Sequence, residues 1–96
     1  MLKPNQKQYL KAMAHTLKPV VIIGENGATE SVLNEIALAL EHHELIKIRV
    51  NGEDRLHRNT LIHTVIQASA AELIQCIGHV AILFRRNTKK PRITFP

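Results

Sequence analysis

The chain has no tryptophan, one tyrosine and two phenylalanines among its 96 residues. This disfavours a protein that reads unpaired bases mainly by stacking them on exposed aromatic platforms. Tyr9 and Phe84 lie within apolar patterns and are expected in the core. Cys76 is the single cysteine, which excludes an internal disulfide and fits a reducing compartment. Its apolar neighbours predict a small buried side chain. No apolar run approaches the roughly 20 residues of a membrane span, and the opening MLKPNQKQYLKAM lacks the apolar core of a signal peptide. A cytoplasmic protein without membrane contact is the expectation. Acidic residues are also in deficit, 8 against 13 Lys and Arg, for a formal charge of +5. Such a surplus favours an anionic partner, nucleic acid ahead of an acidic membrane surface, and says nothing about fold. At this length, with 45% hydrophobic residues, the chain can bury one core and not two, so residues 1–96 are expected to form a single domain.

What is present alternates regularly. Residues 5–16 predict a helix with Tyr9, Leu10, Met13 and Leu17 along one side, stopped by Lys18-Pro19. Val20 to Ile23 form a short, wholly apolar run that predicts a strand covered on both faces. Thr29 can cap a helix over 30–43 whose stripe is Val32, Leu33, Ile36, Ala37 and Leu40. LIKIRVN alternates, with Ile46, Ile48 and Val50 on one face and Lys47 and Arg49 on the other, until Asn51-Gly52 breaks it. Residues 54–70 predict a third helix, facing inward through Leu61, Ile62, Val65, Ile66 and Ser69. LIQCI and VAILF flank Gly78-His79, the signature of a type II′ hairpin. Residues 87–96 are basic and proline-broken, hence an extended tail. The fold class is therefore α/β: a helix, then β-α-β-α-β-β, giving a four-stranded mixed sheet packed by helices.

Gly24-Glu25-Asn26-Gly27 stands where the first strand hands over to the second helix. It lacks the spacing and the Lys-Ser/Thr ending of a nucleoside-triphosphate loop, and it is not the GxGxxG dinucleotide fingerprint. Alone, Gly-x-x-Gly is most simply a turn. Its position at the start of a capped helix adds unpaired backbone N–H groups and the positive end of the helix dipole, which suit a phosphate. In KH domains a GxxG loop clamps a nucleic-acid backbone, although that loop joins two helices.

The run LKPVVIIGENGATESVLNEIALALEHHELIKIRV, the EDR that opens the third helix, and IGHVAILFRR together resemble the CRM domain (chloroplast RNA splicing and ribosome maturation) in its stand-alone bacterial YhbY-type form. The resemblance covers nearly the whole chain. It implies an RNA-binding domain associated with ribosomal RNA of the large-subunit precursor, and a fold similar to the carboxyl-terminal domain of translation initiation factor three. Carried over, Gly24, Glu25, Asn26 and Gly27 form the RNA-contacting loop. Glu25 departs from the small or basic residue expected there and should weaken the contact.

The cations give an independent reading. Lys7 and Lys11 are spaced i, i+4 on the first helix, with Lys3 and Lys18 at its ends. Lys47 and Arg49 point together from the second strand, and Arg85 and Arg86 close the last. Lysines on a solvated helix face are ordinary, so the assembly, with Thr29 at the loop, carries the reading rather than any one residue. Phosphate charge, shape and the 2′-hydroxyl of structured RNA are the expected basis of recognition, with little sequence readout. Catalysis is not expected: no histidine pair has i, i+4 spacing with a third ligand, and Ser31, Ser69 and Cys76 lack an activating setting. His42 and His43 point about 100° apart on a helix. Glu53-Asp54 complements the dipole of the third helix. No cofactor, metal or small-molecule substrate is expected, and the chain is expected to be a monomer. Two alternatives stay open: a protein-interaction module, which would show an exposed apolar patch, and a small-anion or nucleotide binder, which would show a closed pocket at the same loop.

Overall fold

Pro4 opens the first helix, where a missing N–H costs nothing, and the Gln6 side chain reaches back to accept from the Lys3 N–H at 2.9 Å. The structure, a computed structural model, describes residues 2–96. Its elements are α1 (Pro4–Ala14), β1 (Pro19–Ile23), α2 (Glu30–His43), β2 (Leu45–Val50), α3 (Arg55–Ser69), β3 (Glu72–Ile77) and β4 (Val80–Phe84). Thr29 Oγ1 accepts from the Val32 N–H at 3.2 Å to cap α2. Asp54 does the same for α3 through the His57 N–H at 2.8 Å. Gly78 takes φ +57 while His79 stays at negative φ, as a type II′ turn requires.

The strands pair in the order β1-β2-β4-β3. β1 and β2 run parallel, and β4 is antiparallel to both of its neighbours. The sheet is covered on both faces, by different layers. On one side α2 and α3 bury Ile36, Leu40, Leu61 and Val65 against Val21, Ile23, Ile48 and Val50. On the other, α1 packs over β2 and β3, and Leu10 and Ala14 meet Leu45, Ile74, Ile82 and Phe84. Among the described residues no helix is long and apolar enough to cross a membrane.

Two expectations are corrected. β1 is not covered on both faces: Val20 and Ile22 are 49% and 59% exposed. It is an edge strand, and α1 lies over β2 and β3 instead. Cys76 is exposed rather than buried. It lies near the end of the opposite edge strand beside the hairpin, where its neighbour Ile77 is 64% exposed. The tail has no regular structure, as expected, yet it is docked. Ile93 joins the core beneath α1, and Phe95 packs its ring 5.8 Å from Tyr9 and 6.1 Å from Phe84, centroid to centroid.

Glu44 fixes that tail. It is fully buried, and its carboxylate accepts from the backbone N–H groups of Asn87, Arg92 and Ile93 at 2.6, 2.6 and 2.8 Å. The Arg86 guanidinium adds an ion pair at 3.2 Å.

Candidate nucleic-acid interface

The Gly24 carbonyl accepts from the Gly27 N–H at 3.0 Å, closing a turn through Glu25 and Asn26. Gly27 sits at φ +72, so its lack of a side chain is required by conformation. Gly24 has an ordinary φ, and a Cβ there would meet nothing within 4 Å; its backbone is open to approach. Immediately after the turn, the Thr29 cap starts α2. The N–H groups of that helix's first turn have no intrahelical acceptor beyond the one Thr29 supplies.

The loop does not stand alone. The Asn51 N–H donates to the Ile23 carbonyl at 2.9 Å, which holds the β2–α3 connection beside it. Gly24, Glu25, Asn51, Gly52, Glu53 and His57 line one crevice at the carboxyl ends of the two parallel strands. Gly52 is there for space: a Cβ would lie 2.9 Å from the Arg58 backbone nitrogen. His57 Nδ1 accepts from the Glu53 N–H at 3.1 Å, which fixes the ring. Asn51-Gly52 read only as a strand breaker and Glu53 only as a dipole partner, so this second wall was not legible from local pattern. Glu25 and Glu53 are both among the lining residues, so the crevice has two acidic residues in its walls.

Cations collect on the α1 side of the sheet. Lys11 from α1 and His15 just after it share an open pocket with Lys47, Gln75, Ile77 and Val80, and Lys7 lies one helical turn before Lys11. Arg49 stands beside Ile22 in the β1–β2 register and opposite Val80 in the β2–β4 register. Ile22 is two residues from Gly24, so this basic face runs up to the loop. Lys47 Nζ donates to the Leu17 carbonyl at 3.1 Å, which steadies it at the junction of α1 and β1. Lys18 lies on the other flank of α1, where it lines a separate groove with Lys47. Lys3 is at the opposite end of α1, about 12 Å of helix from Lys11, and is not brought together with the rest.

Arg85 and Arg86 are both engaged within the fold. Arg85 donates to the carbonyls of Ser69 and Ala37 at 2.9 and 3.1 Å and pairs with Glu41 at 3.4 Å. Arg86 pairs with Glu44, donates to the Ile93 carbonyl at 2.7 Å and lies 5.3 Å from the Phe95 ring centroid. Their side chains hold α2, α3 and the tail together. Among the described residues these are the salt bridges formed, and none engages Lys7, Lys11, Lys18, Lys47 or Arg49.

An apolar patch exists but is divided. Ile22, Val80 and Ile77 share one row of the sheet with Arg49 between the first two. Leu38 and Leu56, 62% and 76% exposed, sit singly on α2 and α3 and need no partner.

Sequence and shape comparisons agree with this architecture. The family described as CRS1 / YhbY (CRM) domain matches residues 2–85. An RNA-binding protein of Haemophilus influenzae is 49% identical over 84 residues, covering 88% of this chain and 85% of that one. A Bacillus subtilis chain named probable RNA-binding protein YqeI is 31% identical over the full length of both. The solution structure of a hypothetical protein from Staphylococcus aureus, 33% identical, superposes over the whole of both chains with a TM-score of 0.83. The chain belongs to the CRS1/YhbY (CRM) domain family.

Proposed function

We propose that this protein binds RNA without catalysing a reaction, and that it does so in the cytoplasm as an assembly factor on ribosomal RNA of the large-subunit precursor. The contact surface is the α1 side of the sheet together with the Gly24–Gly27 loop. One observation carries the reading: Lys11, Lys47 and Arg49 converge on one face, without carboxylate partners, next to a glycine turn that opens a capped helix. Unpaired cations at this density attract a polyanion, and the loop's backbone N–H groups suit a phosphodiester that the glycines let come close. The relatives' names point the same way. The apolar row favours RNA over a dry protein interface, because Arg49 interrupts it and Lys11, His15 and Lys47 border it.

Ultraviolet crosslinking in growing cells, with sequencing of the attached RNA and mass spectrometry of the attached peptides, tests both halves. The expected outcome is enrichment of large-subunit precursor RNA over its abundance, with crosslinked peptides from residues 7–27 and 47–51. Reads spread in proportion to transcript abundance would reject the ribosomal assignment. Peptides confined to the outer faces of α2 and α3 would reject the surface.

A further inference from the structure

A second concave feature lies outside the loop and the basic pocket. Between the end of α1, the start of β1, the end of α2 and the docked tail there is a groove of about 450 Å³, within the roughly 300–1,000 Å³ of small-ligand sites. Its apolar surface comes from Met13, Leu17, Val20, Leu45 and Ile93. Met13, Leu17 and Val20 are 37%, 38% and 49% exposed, so this surface faces solvent. Its polar lining is Lys18, Lys47, Arg92, His42 and His43, with no carboxylate. An apolar floor with a wholly cationic or imidazole rim complements a ligand that has a flat apolar body and a negative charge.

The wall that completes the groove is built at some cost. Arg92 and Ile93 stand there because Glu44 accepts both of their backbone N–H groups. Glu44 does so as a fully buried carboxylate on a residue at φ 61, a conformation that L side chains rarely adopt. No hydrogen bond or ion pair holds the Arg92 guanidinium within the described residues, so it is available to a ligand. Imidazole and guanidinium are also the groups that stack on nucleobases where Trp, Tyr and Phe are missing.

We propose that this groove receives one unpaired nucleotide, its base against Met13, Leu17 and Val20 beside the histidines, and its phosphate on Arg92, Lys18 and Lys47. The choice of occupant rests on the RNA reading above and extends it: a single flipped or bulged nucleotide is captured on one flank of α1, while structured RNA lies on the other. Lys47, which lines both depressions, joins them.

The test uses the full chain labelled with nitrogen-15 and titrated with adenosine 5′-monophosphate, with inorganic phosphate alone and adenosine alone as parallel probes. Saturable amide shifts are expected around residues 17–20, 42–47 and 92–93 with the nucleotide, and clearly weaker ones with either half. Arg92→Ala should weaken nucleotide binding about five- to tenfold and Val20→Glu should abolish it. Both positions are exposed enough to keep the fold, which the amide spectrum verifies. Arg92→Ala should change affinity for a short RNA duplex by less than about twofold. If phosphate alone reproduces every shift, or the nucleotide shifts residues elsewhere, the groove proposal is overturned. A protein that binds duplex RNA while its groove amides stay still overturns it too and leaves the RNA reading intact. Failure to bind any RNA, in the same buffer, overturns that reading instead.

Discussion

Glu44 has no apolar alternative that would serve the same purpose, because it satisfies three backbone N–H groups and a guanidinium at once. Burial alone would raise its carboxyl pKa. The N–H donors of Asn87, Arg92 and Ile93, aided by Arg86, outweigh that and hold it below the ordinary value. With a folded value below the unfolded one, the stabilisation is complete above the unfolded value and is lost as pH falls through the folded one. Acid should therefore release the tail before the sheet melts, seen as faster hydrogen exchange at the Arg92 and Ile93 amides. Glu44→Gln puts an amide NH₂ among donors that need acceptors, and should cost about 2–4 kcal/mol at neutral pH. It should also flatten the acid limb of a melting-temperature profile. A variant that melts like the parent at pH 7 would mean the tail is not held by this group.

At the scale of elements, local signals and distant ones part company. The cap of α2, the hairpin at Gly78 and the alternation in β2 were readable because each depends on neighbours within four residues. The placement of Arg85 and Arg86 was not, since their acceptors are 7 to 48 residues away. For the same reason four apolar residues in β1 read as a doubly covered strand: nothing in the run itself tells that the strand lies at an edge. The glycine turn was legible as a turn, and its second wall at Asn51-Gly52 was not. Because Glu25 is exposed and shares the crevice with Glu53, reversing its charge removes repulsion on the approach of a phosphate. Glu25→Lys should strengthen RNA binding by about 0.5–1 kcal/mol, with the melting temperature unchanged. Unaltered affinity in a filter-binding or anisotropy titration would mean that this turn points away from RNA.

For the whole molecule, the net charge of +5 matters less than its distribution. The fold withdraws Arg85 and Arg86 into its own structure and leaves Lys7, Lys11, Lys47 and Arg49 on one face, with Lys18 round the flank of α1. If RNA lies on that face, about four or five phosphates are neutralised, for which log K against log salt should slope at roughly −3 to −4.5. The double variant Lys7→Ala, Lys11→Ala should lower affinity and make the slope shallower by up to about two. Arg85→Ala supplies the contrast. It should destabilise the protein, because it leaves the Ser69 and Ala37 carbonyls without this donor, yet keep the slope of the folded protein unchanged. Measured together by anisotropy over a salt series, with melting curves beside them, the three proteins separate charge that meets RNA from charge that holds the fold. A slope near zero for the parent, or a loss of slope with Arg85→Ala equal to that of the lysine pair, would show that the α1 face is not where the polyanion binds.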